Sequence, residues 1–430
     1  MLILAAALAV GTVVAVALGE APRDGAIVAW AALLAAALAD IALSVRPIRT
    51  ARIDLPTEVF VGERARLRAS FEAESRGAPD RPEGVARLDW PAGLKGPREL
   101  TIRAGADGLH AEAELLATRR GAWEIGTLWV LRPSRFGLFE IISTLAIHRA
   151  VRVVPNIRLV QSGQIAATVI STLYGVKENR AIGDGSEFHQ LREFSPGMDV
   201  KAIDWKRSAK QRVLLAKELR AERNHHVILA IDNGYLMSEE IAGLPKIDHA
   251  ITAALATAWA AAIGGDLVGA FSYDARPRSF RAPVPGRQAF AQLRSWTAEL
   301  SYVARETNHT LALSALKART PKRSLIIIFT DFVDVTSAEL LVENLAMLVK
   351  RHVVIFVAIR DPDLERRVDG RPDSMDAVAE LVTANLMLRE RRTVFERLAR
   401  LGVSVVDARP GEVTAQVIST YLEIKTREMI

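Results

Sequence analysis

The sequence predicts an α/β domain built on a parallel sheet, preceded by a small β-sandwich and by a pair of apolar helices forming a transmembrane hairpin. Three observations predict this architecture. Two apolar runs, which together contain one charged residue, stand at the N-terminus. Strand-length segments that alternate polar and apolar residues fill the stretch from 47 to 156. From residue 225 onward, continuous apolar runs alternate with helical segments, the pattern of a parallel sheet with helices on both faces.

The chain has 430 residues, half of them hydrophobic and a quarter charged, so it is globular and long enough for more than one core. It has no cysteine, which excludes disulfides, thiolate metal sites, iron–sulfur clusters and cysteine nucleophiles. The formal charge of +6 is spread along the chain. It suits an anionic membrane surface. No nucleic-acid motif accompanies it, and nucleic acid is not an expected partner.

Residues 1–46 are the expected hairpin. Leu2 to Leu18 carries no charge, and Ala26 to Leu43 carries only Asp40. Each is close to the roughly 20 apolar residues that a spanning helix needs. Gly19 to Gly25 is the turn between them. Arg46, Arg49 and Arg52 follow the second run, while the turn has only Arg23. The positive-inside bias therefore puts the body on the cytoplasmic side of an inner (cytoplasmic) membrane, with the lipid bilayer as first partner. A cleaved signal peptide fits less well, because the first run lacks a basic leader and a second run follows at once. Asp40, near the end of its span, is expected to face headgroups or a partner helix.

Residues 47–156 read as a β-sandwich. Arg64 to Phe71 alternates at period two, and further strands are expected near Leu100–Arg103, Leu109–Ala117, Leu128–Leu131 and Val151–Val154. Nothing here has the residue types of a catalytic site, so a structural or docking role is expected.

Residues 157–224 form a polar connector. Gly183, Gly185, Pro196 and Gly197 alternate with Glu187, Arg192, Asp199, Asp204 and several Lys and Arg. Acids and bases in comparable number read as an ion-pair network rather than a carboxylate site. Trp205 is expected to anchor it. Gly183-Asp184-Gly185 lacks the Gly-Lys-Ser/Thr that a phosphate loop requires.

Residues 225–430 read as the α/β domain. Strands are expected at Val227–Ile231, Leu267–Phe271, Ser324–Phe329, Val353–Ile359 and Val403–Val406, with helices between. Asp232, Asp331 and Asp361 follow three of these strands, at the carboxyl edge where such sheets bind ligands. Their oxygens would suit Mg²⁺. The alternative role for strand-end Asp is capping the next turn or helix.

The ordered run Gly183, Gly185, Glu187, Phe188, Arg192, Pro196, Gly197, Asp199, Asp204, Trp205, Ser208 and Glu218 resembles the signature of bacterial domain-of-unknown-function family 58. The resemblance covers nearly the full chain. It implies a von Willebrand factor A-like (Rossmann-like) fold for residues 225–430. It also implies association with a MoxR-type AAA+ ATPase, and no established enzymatic activity. A metal-competent domain of that kind has Asp-x-Ser-x-Ser after its first strand, then a Thr and a later Asp. Here the first motif reads Asp232-Asn233-Gly234-Tyr235-Leu236. Asp232 remains and both serines are gone; Thr307, with Thr310 as rival, matches the Thr and Asp331 the final Asp. The resemblance thus implies a degenerate metal set of Asp232, Thr307 and Asp331, with no resident cofactor expected and Mg²⁺ as the ion it would accommodate.

The expected function is a non-enzymatic, membrane-anchored adaptor that presents this domain to a protein partner, with other membrane proteins as further candidates. Two alternatives belong to other classes. One is a metal-dependent enzyme using Asp232 and Asp331, against which stands the lack of a nucleophile–base pattern. The other is an extracytoplasmic cell-wall binding module, which the Arg distribution disfavours.

Overall fold

The computed structural model describes residues 10–11, 23–44, 48–73, 84–105, 108–134, 136–175, 187–195, 198–220, 225–333, 335–370 and 372–430. The chain divides into two compact units, Met1–Val154 and Pro155–Ile430.

The first unit opens with α1 (Arg23–Ser44), rich in the strong helix formers Ala and Leu. Of the expected first span and turn, all but residues 10, 11 and 23–25 lie outside the described residues. Among the described residues no helix is long and apolar enough to cross a membrane; within α1 itself the side chains of residues 23–26 and 29 are not described.

Nine strands follow: β1 (Ile48–Asp54), β2 (Glu58–Phe60), β3 (Arg64–Ala73), β4 (Gly84–Leu88), β5 (Leu94–Lys95), β6 (Glu99–Gly105), β7 (Gly108–Ala117), β8 (Gly121–Pro133) and β9 (Glu140–Val154). Their order is β1-β3-β7-β6-β4-β8-β9-β2, with β5 paired to β7. β6 lets the sheet fold over, since Glu99–Ile102 pair with β4 while Arg103–Gly105 pair with β7. Alternation sets the inner face: Leu67, Ala69 and Phe71 of β3 meet Ala111, Ala113 and Leu115 of β7 in the core. The intervening Arg68 and Glu112 pair at 3.5 Å on the wet face. Pro155 has no N–H to donate, and the β9 ladder stops before it.

Asp40 faces neither the headgroups nor the partner helix expected of it, but a turn of the β-domain. It is fully buried. Its carboxylate accepts hydrogen bonds from Ser44 Oγ (3.1 Å), Ser134 Oγ (2.5 Å), Phe136 N (2.9 Å) and Leu138 N (3.3 Å), the last three in the turn between β8 and β9.

The second unit begins with α2 (Arg158–Gln161) and α3 (Gln164–Gly175). α3 buries Ile165, Val169 and Leu173, spaced four apart on one helix face. Strands β10 (Glu187–Glu193) and β11 (Leu215–Arg220) form an antiparallel pair enclosing α4 (Trp205–Gln211).

The α/β region comprises β12 (His226–Asp232), the small hairpin β13 (Glu240–Ile241) and β14 (Leu244–Pro245), α5 (Lys246–Ile263), β15 (Leu267–Tyr273), β16 (Pro277–Pro285), α6 (Gly286–Glu299), α7 (His309–Arg319), β17 (Ser324–Phe329), α8 (Val335–Val349), β18 (Val353–Ile359), α9 (Pro362–Asp369), α10 (Met375–Arg400), β19 (Ser404–Ala408) and α11 (Val413–Thr426). The sheet order is β16-β15-β12-β17-β18-β19. The five expected strands are parallel, but the sheet is not purely so: β16 pairs antiparallel with β15 at one edge. One face packs Ile228, Phe271, Ile326, Ile328 and Phe356 against α7, α8 and α10. α3, α5 and α11 pack together, with α5 and α11 also against strands of the sheet. The carboxyl ends of the adjacent strands β12 and β17 lie where the strand order reverses, and the candidate site is there.

Candidate functional site

Asp232 ends β12 and is 1% exposed. Its Oδ1 accepts from Gly234 N (2.8 Å) and Thr307 Oγ1 (2.7 Å), and its Oδ2 accepts from Thr330 Oγ1 (2.6 Å). All these donors are neutral. Burial is the dominant influence and lifts the Asp232 pKa to about 6, against the pull of the three hydrogen bonds. Thr310 bonds instead to Asn344 (3.0 Å), so Thr307 is the threonine of this site.

Gly234 shows why a serine is missing from the first loop. A Cβ at this position would lie 1.9 Å from Thr307 Oγ1. The Thr307 hydroxyl occupies the volume that a side chain at 234 would need.

Asp331 lies two residues beyond β17 and is also buried. Its Oδ2 accepts from Lys246 Nζ at 2.7 Å, and its Oδ1 from Arg391 at 2.7 Å. Burial is the largest influence on its pKa and would raise it. Arg391 and Lys246 together outweigh burial and hold it below the usual carboxylate range. Lys246 is the first residue of α5, and its ammonium is shared with Glu239 at 2.6 Å. Arg391, on α10, also bonds Asp407 (3.1 Å) and the Ile359 carbonyl (3.3 Å). Its guanidinium stacks over Phe395 and Phe332, 5.0 and 5.7 Å from the ring centroids. Packing therefore fixes both cations on the carboxylate.

The metal set is thus brought together only in part. Asp232 and Thr307 meet, but each bonding oxygen is already engaged. Both Asp331 oxygens face internal cations. Replacing two hydroxyl ligands by Gly234 and Leu236 removes further oxygens. This donor set does not fit Mg²⁺, which needs several free oxygens in octahedral array. Among the described residues no group of three or more acidic or histidine side chains is placed to hold a metal ion. Asp361 does not join the site. It caps α9 by accepting from Asp363 N at 2.8 Å.

Lys246 and Arg391 are the residues that sequence reasoning missed. They lie 85 and 60 positions from Asp331, in no shared motif. Beside the site, Asn233, Ser272, Asp274, Arg278, Ser279 and Trp296 line a polar cleft of about 290 Å³. Asp274 is paired there with Arg278 at 2.6 Å.

In the connector, Asp199 accepts from Lys201 N (2.9 Å), and Asp204 caps α4 by accepting from Arg207 N (3.1 Å). Ser208 Oγ is buried and accepts from Leu215 N (2.9 Å), tying α4 to β11. Arg192 is exposed on β10. Glu187, Phe188 and Glu218 lie on the paired strands, where only their backbone is described. Gly183, Gly185, Pro196 and Gly197 lie outside the described residues. Trp205 is not the expected anchor, being 64% exposed. It is the first residue of a seven-residue helix whose buried position is Ser208, so its ring is turned outward.

The family described as "Protein of unknown function DUF58" matches residues 190–401. The first four signature residues precede that range. Uncharacterized proteins of Mycobacterium tuberculosis (Rv1480) and Mycobacterium bovis (Mb1516) are each 25% identical over 201 residues, 46% of this chain. The match spans 61% of the length of those curated relatives. Among solved structures, the conserved hypothetical protein BatB from Bacteroides thetaiotaomicron aligns with 48% of this chain and all of its own, at 14% identity and a TM-score of 0.31. An aerotolerance-related membrane protein from Bacteroides fragilis aligns with 47% of this chain and 99% of its own, at 16% identity and a TM-score of 0.31.

Proposed function

Residues 190–401 belong to the DUF58 family, whose description assigns no activity, and from the site itself we propose that this chain is a non-enzymatic adaptor. It is anchored in the inner membrane by the N-terminal hairpin, with its body in the cytoplasm. Its α/β region acts as a von Willebrand A-like domain that offers the loops at the sheet's carboxyl edge to a protein, a MoxR-type AAA+ ATPase.

The observation that carries this reading is the pair of internal cations on Asp331. A carboxylate held between Lys246 and Arg391 is neither a general base nor an open ligand. It is a structural brace that ties the segment after β17 to the start of α5 and to α10 without an added ion. Asp232 is likewise enclosed by neutral donors, its oxygens taken up by Gly234 N and the Thr307 and Thr330 hydroxyls. What the edge retains is a preformed surface, which suits binding better than turnover.

The test is cross-linking of the full chain, reconstituted in lipid nanodiscs, to a purified MoxR-type ATPase from the same genome, with and without ATP. A specific cross-link from the loop around Gly234 supports the adaptor. No association in either nucleotide state sinks it. Calorimetric titration with Mg²⁺ separates the enzyme alternative: no saturable heat is expected, and a saturable signal abolished by Asp232→Ala would restore the metal-dependent reading.

A further inference from the structure

The buried Asp40 carboxylate fixes one turn of the β-domain to the last turns of an apolar helix. A carboxylate offers about four lone-pair sites. Asp40 has four donors, three of them from Ser134, Phe136 and Leu138. Burying an ionised group beside apolar surface is costly unless it is fully hydrogen-bonded. The turn supplies most of those bonds, so it must sit at the depth of Asp40.

Among its described residues the turn is closed by three hydrogen bonds. Ser134 N donates to Phe139 O (2.8 Å), Gly137 N to Ser134 O (2.9 Å) and Phe139 N to Ser134 Oγ (2.9 Å). Gly137 has φ +73°, a conformation that favours glycine. With its amides turned to Asp40, the turn leaves the Phe136 ring 60% exposed. Close by on β9, Ile142 is 63% exposed.

The surface of α1 around this contact is apolar and open. Ile27, Val28, Leu34, Leu38, Ile41 and Leu43 are between 42% and 67% exposed. Such a helix surface calls for an apolar cover. On the anchor reading proposed above, on which this inference rests, that cover is lipid. Asp40 lies four residues before the end of α1, about 6 Å along the axis. That is the thickness of one interfacial layer, roughly 5–7 Å on each side of the hydrocarbon core. Apolar side chains such as Phe bury about 5–10 Å into the boundary between headgroups and acyl chains, and a ring held at this depth reaches it.

We infer that the Ser134–Phe139 turn is a membrane-surface wedge: Phe136 enters the lipid interface, and Asp40 is the positioning residue that holds it there. The occupant is a lipid surface, continuous with the lipid around α1.

The chain's lack of cysteine makes the test direct. Single variants Phe136→Cys, Leu34→Cys and Glu99→Cys of the full chain carry an environment-sensitive fluorophore. They are reconstituted in vesicles of three parts phosphatidylcholine to one part phosphatidylglycerol, with and without brominated acyl chains. Quenching with a blue-shifted emission is expected at 34 and 136 and not at 99. Adding Asp40→Ala should abolish most of the quenching at 136 and leave that at 34 intact. Ser134→Ala, which removes one donor and keeps the carboxylate, should give a smaller loss in the same direction with unchanged far-ultraviolet circular dichroism. An aqueous label at 136 with a quenched label at 34 overturns the wedge and leaves the anchor standing. An aqueous label at 34 overturns the anchor and the wedge together. Undiminished quenching at 136 in both Asp40→Ala and Ser134→Ala overturns the positioning role.

Discussion

Asp232 gives the carboxyl edge of the sheet a pH-dependent stability of unusual sign. Its pKa is 3.8 in the ordinary state and about 6 when folded. Between these values the native state holds the proton that the unfolded state has released, so stability falls as pH rises, by about 3 kcal/mol in all. Asp331 acts oppositely and lower: its depressed pKa contributes stability above the ordinary carboxylate value, lost as pH falls through the folded one. Asp232→Asn keeps an acceptor for Gly234 N and should flatten the fall between about pH 4 and pH 6 in denaturant melts; an unchanged slope would assign it elsewhere. Lys246→Met tests the brace. It leaves Asp331 buried with one cation, and breaking a buried pair costs about 3–5 kcal/mol, measured as a shift of the urea midpoint at neutral pH. The sequence showed half of this site. Asp232, Thr307 and Asp331 follow an ordered pattern, and the loss of two serines was visible. Lys246 was not, because it enters through a hairpin and helix start that bear no motif. Arg391 stands among Arg389 and Arg392, and only the fold turns one of the three inward.

At the scale of elements, legibility followed burial. The strands β12, β15, β17, β18 and β19 are continuous apolar runs because both faces are covered, and such runs are hard to mistake. β16 escaped notice for the opposite reason: Pro277, Pro283 and Pro285 discourage a strand reading, and none of its side chains is fully buried. Proline is tolerated there because β16 is an edge strand. Helix α3 was hidden in a connector read for its charges, though Ile165, Val169 and Leu173 carry helical spacing. Asp361 shows the capping role winning over the ligand role. Since α9 buries none of its residues, Asp361→Ala should weaken it locally by about 1 kcal/mol. Faster amide exchange across 363–369 with little change in the global melting temperature is the expected signature; a loss of global stability as large as the local one would contradict it.

Across the whole molecule, the two units carry separate cores. Leu67, Phe71, Leu115, Ile125 and Leu128 are buried in the first, and Ile228, Phe271, Ile326 and Phe356 in the second. The tie between α1 and the β8–β9 turn could not be read in the sequence, because it joins residues 94 to 98 positions apart. Each core is that of an ordinary domain, so each unit should fold without the other. A fragment of residues 155–430 is therefore expected to unfold in one cooperative transition, with a midpoint close to that of the corresponding transition in the full chain. The first unit should be less forgiving. A fragment of residues 48–154 keeps the inner faces of its strands but loses Asp40, leaving the amides of Phe136 and Leu138 without their acceptor. It should fold with native strand content yet show fast amide exchange confined to the β8–β9 turn. Slow exchange there would mean that the turn needs no helix to hold it.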